Sequence, residues 1–231
     1  MPEHFSIDKG ILELQDKLSL PTDFFKKLLE EDDWSFIIKL HALVEAACTD
    51  LLLHRFDEPS LKNIISRLEL SNKTFGKLAF IKELELLGDT NRRYISSLSE
   101  WRNNFVHNVQ NCNASLNKIV LSMDKNKLKK FALDFSPLET TLQKFTKGPI
   151  ELLDETTKKQ IDNSKLIERA KSNPKFHIWI GGYNLLTSLV DIYDYNEYLQ
   201  YDKAMTLTGI YDEDDENDPD QNDEPENDGV E

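Results

Sequence analysis

The sequence predicts an all-α helical bundle followed by a disordered acidic tail, and three observations carry that expectation. Apolar residues recur at three- and four-residue steps over most of the first 200 positions. No alternating apolar and polar run persists long enough for a strand, and no internal repeat is present. The third observation is charge: residues 212–231 hold twelve acids and no base, and taking these from the net −14 leaves −2 for residues 1–211. With Val230 as its one apolar residue, that segment cannot offset the entropy of ordering, and solubility is its default role.

In chain order, residues 5–31 read as one or two amphipathic helices broken at Pro21. Residues 34–56 place Phe36, Leu40, Leu43, Ala47 and Leu51 on one face, and this helix stops at Asp57-Glu58-Pro59-Ser60. A shorter helix from Pro59 to Leu70 carries Leu61, Ile64, Ile65 and Leu68. Another follows Ser71-Asn72, reaches Leu87 and ends at Gly88. Asp89 or Thr90 then caps a helix running to about Val109. Beyond an Asn-rich stretch at 108–117, short apolar segments occupy 119–123 and 128–135. Helices are expected at 150–171 and 175–200, separated by Pro174. The domain reading is an N-terminal helical segment (1–33), a helical bundle (34–200), and a linker with the acidic tail (201–231).

Composition excludes several classes. No stretch approaches the roughly 18 apolar residues of a membrane span, and the acidic start MPEHFSIDKG lacks the basic region of a signal peptide, so a cytoplasmic protein without membrane contact is expected. Cys48 and Cys112 form neither a disulfide framework nor a metal motif. His41 and Glu45 stand four apart on one helix, but without a His-Glu-x-x-His spacing or a cysteine cluster no metal and no cofactor are expected. His41 and His54 read as packed or solvent-facing helix residues, and His177 beside Trp179 and Tyr183 as core. Gly181-Gly182 lacks a phosphate-loop context and reads as a close helix contact.

The helix at 90–110 carries the chemistry. At 100° per residue, Tyr94, Leu98, Trp101, Phe105 and Val109 form an apolar stripe, with Ser96, Ser99, Asn103 and His107 on the far side. That small polar face would admit a second helix closely. Arg102 sits at the stripe's edge, where its long stem can reach round. The segment Arg102-Asn103-Asn104-Phe105-Val106-His107 resembles the Arg-Asn-x-x-x-His motif of HEPN domains, helical bundles that include many RNA-cleaving toxins and defence enzymes. The resemblance extends to SNKTFGKLAFIKELELLG before the motif helix, similar to HEPN proteins of the mannitol-repressor type. It also takes in KLHALVEAACTDLL as the opening helix, with Glu45 at a position often acidic in relatives.

The resemblance implies a metal-independent endoribonuclease, a toxin or antiphage effector with Arg102, His107, Asn103 and Glu45 as catalytic candidates. A histidine can exchange protons near neutrality, Arg supplies a permanent cation for the extra charge on phosphorus, and Asn103 can orient the ring or bind phosphate. One chain offers one motif histidine, so a homodimer through the motif helix would supply both base and acid. Arg92 and Arg93, at the start of the same helix, are candidates for guiding RNA. RNA as substrate and an antitoxin or regulatory protein are the partners implied. The alternative is a non-catalytic dimerisation or regulatory module like the mannitol-repressor relatives. On a purely structural reading, His107 is an exposed helix residue and Arg102 a salt-bridge partner of Glu45 or Glu100.

Overall fold

A computed structural model describes residues 9–107, 110, 113–136 and 155–208, with side chains of the last stretch described over 164–193. The fold is all-α, with no strand among the described residues. The helices are α1 (Lys9–Lys17), α2 (Phe24–Lys27), α3 (Asp33–Phe56), α4 (Lys62–Ile65), α5 (Lys77–Glu83), α6 (Asp89–His107), α7 (Leu116–Leu121), α8 (Lys125–Asp134), α9 (Glu155–Ser172) and α10 (Pro174–Thr208). The first compact unit is Met1–Tyr193 and the second Asp194–Glu231. The acidic segment 212–231, Val109 and Cys112 lie outside the described residues.

Helix α3 is the central strut. Its apolar residues are not confined to one stripe: besides the expected face, Ile37, Val44, Cys48 and Leu52 are buried too, as befits a helix surrounded by others. Asp32 starts it by accepting a hydrogen bond from the Ser35 N–H at 2.9 Å. Asp57 ends it in the left-handed region at φ 50°. The N-terminal segment is not a separate body. Ile11, Leu14, Phe25 and Leu28 enter the same core, Phe25 stacks on Trp179 at 4.7 Å between ring centroids, and Trp179 Nε1 donates to the Phe25 carbonyl at 2.8 Å.

Two helices are shorter than their sequence promised. The helix expected over 59–70 is a 3₁₀ turn at Pro59–Leu61 and one α turn in α4, leaving Ile65 buried but Ile64 62% exposed. Past Ile65 the bonds tighten to three-residue steps, Arg67 N–H to Ile64 O at 3.1 Å and Leu68 N–H to Ile65 O at 3.2 Å, and the carbonyls that follow are bound by the start of α5. Lys77 Nζ donates to Leu68 O at 2.7 Å, and the N–H groups of Lys77 and Leu78 donate to Glu69 O and Leu70 O, each at 3.0 Å. The chain crosses itself here at Gly76, where a Cβ would lie 2.4 Å from Glu69 O; only glycine fits. Helix α5 then stops at Glu83, not at Gly88. Glu85 takes a left-handed φ of 54°, its N–H donates to Lys82 O and the Leu86 N–H to Ile81 O, a Schellman closure with Glu in the usual glycine place.

Helix α6 packs on α3, α5 and α8. Trp101 meets Phe131 of α8 at 5.3 Å and Tyr94 meets Phe135 edge-on at 5.3 Å. Tyr94 also reaches α10, donating its hydroxyl to Ile178 O at 2.8 Å. Gly181 and Gly182 make room for that ring: a Cβ on either would lie 2.8 Å from a Tyr94 atom, so the expected close helix contact is present. Helix α10 continues through position 201 to Thr208, where the sequence had placed a linker.

Candidate functional site

The C-terminal half of α6 is held from behind and open in front. Phe105 is buried, and Trp34 of α3 donates Nε1 to its carbonyl at 3.3 Å. His107 and Asn104 are exposed, Arg102 and Asn103 half-buried. Five residues at 100° each put Arg102 and His107 about 140° apart around the helix, so spacing alone does not bring them to one side. Asn103 closes that gap. It lies about 40° from His107 by the same winding, and Arg102 Nη1 donates to its Oδ1 at 3.0 Å, drawing the guanidinium round toward the histidine's side.

On the other flank of Arg102 lies a cluster from α3 and α5. His41 is nearly buried, with Nε2 3.2 Å from Ser99 Oγ. The Ser99 hydroxyl donates its one hydrogen to Ile95 O at 3.0 Å, so it accepts from His41, which carries its proton on Nε2 and leaves Nδ1 as an acceptor. That Nδ1 faces Glu45 Oε2 at 4.0 Å. Burial lowers the His41 pKa. Glu45 opposes that, while repulsion from Arg102 and Lys77 reinforces it, so the ring is neutral near pH 7. Glu45 is principally the counter-ion of Lys77, whose side chain is 1% exposed and whose Nζ donates to Glu45 Oε1 at 2.9 Å. The Cys48 thiol, buried close by, is pushed up to about 12 and is inert as a nucleophile.

These contacts revise the expected face of α6. Ser99 does not look outward for a second chain; α3 of the same chain occupies it, because a small hydroxyl facing a buried imidazole satisfies both. Arg102 pairs with neither acid considered for it: Glu45 holds Lys77, and Glu100 lies 3.8 Å from Lys130. Arg92 and Arg93 stand at the other end of the helix, roughly 20 Å from His107 along the axis. Arg92 donates to Leu87 O and to Asp89, and Arg93 is 4.0 Å from Asp134. They belong to a cleft of their own, not to the motif's surroundings.

The structure therefore joins Arg102 to Asn103 on the helix that carries exposed His107, and ties the partly exposed Glu45 to Lys77 of α5. Sequence reasoning passed over Lys77, set Ser99 on the outward face, and read His41 as a packed or solvent-facing residue whose four-residue step from Glu45 was weighed for metal. Among the described residues no group of three or more His, Cys, Asp or Glu is placed to hold a metal ion, and no helix is long and apolar enough to cross a membrane. Compared with family models, curated proteins and solved structures, the chain matches none.

Proposed function

We propose that the protein is a metal-independent endoribonuclease of HEPN type, a toxic or antiphage effector that acts as a homodimer through the C-terminal turns of α6. One observation carries the reading: an Arg-Asn hydrogen bond that turns a permanent cation toward an accessible histidine on the same helix. In the dimer, one His107 takes the proton of a ribose 2′-hydroxyl as its oxygen attacks phosphorus. The His107 of the second copy, protonated, gives its proton to the departing 5′-oxygen. The P–O5′ bond breaks as the P–O2′ bond forms, leaving a 2′,3′-cyclic phosphate and a 5′-hydroxyl. Arg102 of each copy neutralises the extra charge on the pentacoordinate phosphorus, and Asn103 holds that guanidinium in place. Glu45 acts on neither substrate nor proton. It keeps Lys77 satisfied and so ties α3 to α5.

Because Ser99 is occupied within the chain, the strip left for a twofold partner is Asn103, Asn104, Val106 and His107. Val106, 38% exposed, supplies its apolar part. The same strip would serve a regulatory module that dimerises without chemistry, and RNA products separate the two readings. Incubation of RNA with the purified chain in EDTA should give fragments ending in 2′,3′-cyclic phosphate. His107→Ala should abolish them, and Arg102→Ala should slow their formation by about 10² to 10³. Cleavage that needs added Mg²⁺, or none under any condition, would end the ribonuclease reading, and the second outcome with an intact dimer would favour the regulator.

A further inference from the structure

A cleft of about 520 Å³ opens between α5, α6 and α8, along the part of α6 that precedes the motif. Lys73, Lys82, Arg92, Arg93 and Lys130 line it, against two acids, Glu100 and Asp134. On a body whose net charge is near zero, this is a local concentration of cations. One of the acids is already spent. Asp134 has a side chain only 8% exposed and accepts from Ser97 Oγ and from Lys130 Nζ, each at 2.7 Å, with Arg93 4.0 Å away. It works as an internal post that holds Lys130 and Arg93 along the rim, and its own charge is covered.

Arg92 is fixed in a similar way by Leu87 O and Asp89, which occupy Nη1 and Nη2; a guanidinium has five N–H donors, so several are left over. Ser96 and Ser97 of α6 form one wall, and Leu78 and Ala79 of α5 an apolar one, continued by the aliphatic stems of the lysines. The volume falls in the range of small-molecule sites. A compact ligand that matches these surfaces has two or more negative charges for the rim and a flat, weakly polar part for the α5 wall.

We propose that this cleft is a binding site for nucleotide phosphates. The chemistry it recognises is a phosphate group next to a base, whether on a free nucleoside triphosphate or within a single RNA strand. The site is separate from the ribonuclease reading. Its charges lie roughly 10 Å or more along α6 from His107, and it would bind whether or not the motif cleaves.

The test is equilibrium binding by the full chain, followed by fluorescence anisotropy, with mant-ATP as one probe and a short fluorescein-labelled single-stranded RNA as the other. The double variant Lys73→Gln/Lys82→Gln removes two rim cations that hold no buried acid in place, and its melting curve checks that it folds. It should weaken binding at least tenfold at low salt, with a smaller effect at high salt. Glu100→Gln, which removes the exposed acid and frees Lys130 from it, should tighten binding several-fold. If mant-ATP binds with this pattern, the source is a free nucleotide; if only the RNA does, it is the strand. Absence of binding by both probes, or affinities that neither variant moves, would overturn the site. A chain that binds mant-ATP yet cleaves no RNA keeps the cleft and loses the ribonuclease reading. A chain that cleaves RNA with both variants binding as wild type does the reverse.

Discussion

Arg102 and Asn103, adjacent in the chain, are joined side chain to side chain at 3.0 Å. That bond decides which way the arginine points. If it serves to deliver the guanidinium to phosphorus, Asn103→Ala should reproduce much of the defect of Arg102→Ala, and the two changes together should cost little more than Arg102→Ala alone. Single-turnover cleavage of a labelled RNA by the three variants measures this, and strictly additive losses would show that Asn103 acts independently.

A composite site makes inactive subunits dominant. The double variant Arg102→Ala/His107→Ala, mixed in excess with wild type under subunit exchange, should suppress cleavage below simple dilution of wild-type chains. The variant should still fold, since His107 is exposed and removes no packing. Activity falling only with the wild-type fraction, or a monomer cleaving at full rate, would rule out shared catalysis.

Glu45→Ala should look like a catalytic lesion for a structural reason. It leaves the buried Lys77 ammonium with only carbonyl partners at Leu68 and Ser66. Because Glu45 itself is 37% exposed, the cost should be about 1–3 kcal/mol rather than the full penalty of a buried pair. Combining it with Lys77→Met should recover most of that stability in urea melts, and an activity that returns in parallel would confirm Glu45 as a positioning residue.

Acid sensitivity should centre on His177. Its Nε2 lies 2.9 Å from Ala132 O, its Nδ1 is buried without a partner, and burial pushes its pKa down to about 4. The unfolded chain, with an ordinary histidine pKa near 6.5, takes up the proton first. The stability held at neutral pH is therefore lost as pH falls from about 6.5 to 4, by about 3 kcal/mol for this residue alone. His41, lowered in the same direction, adds to the slope. His177→Leu should flatten the decline in melting temperature over that interval, and an unaltered slope would move the origin of the acid sensitivity elsewhere.

If the chain binds RNA, the twelve acids of residues 212–231 should compete with it for basic side chains. Deleting residues 212–231 should tighten RNA binding at low ionic strength and change little at high. Equal affinities at both would return the segment to a solubility role.

The long helices were legible because periodicity is a property of the segment itself: α3 and α6 follow their apolar residues closely, and Pro21 and Pro174 mark real breaks. Helix ends decided by distant partners were not. The stop at Glu85 breaks the preference for glycine in a left-handed position, and α4 gives way to three-residue steps at Arg67 and Leu68 before the next carbonyls are bound by the distant start of α5. The site divides the same way. That Arg102, Asn103 and His107 share one helix was readable from periodicity, whereas the contact between His41 and Ser99 spans 58 positions and reverses the outward assignment of Ser99. Winding a helix tells which residues share a side, not which side another helix will cover.

In mechanical terms, α6 is a beam on two supports. One is Tyr94, pressed against the two glycines of α10 and tied to Ile178 O; the other is Phe105, tied to Trp34. The supports are roughly 16 Å apart, and His107 sits on an overhang of only two residues, about 3 Å beyond the second. A short overhang bends little, so the imidazole's reach is set by its own two side-chain torsions rather than by sway of the helix. Loosening either support would widen the arc that ring sweeps without touching the motif itself.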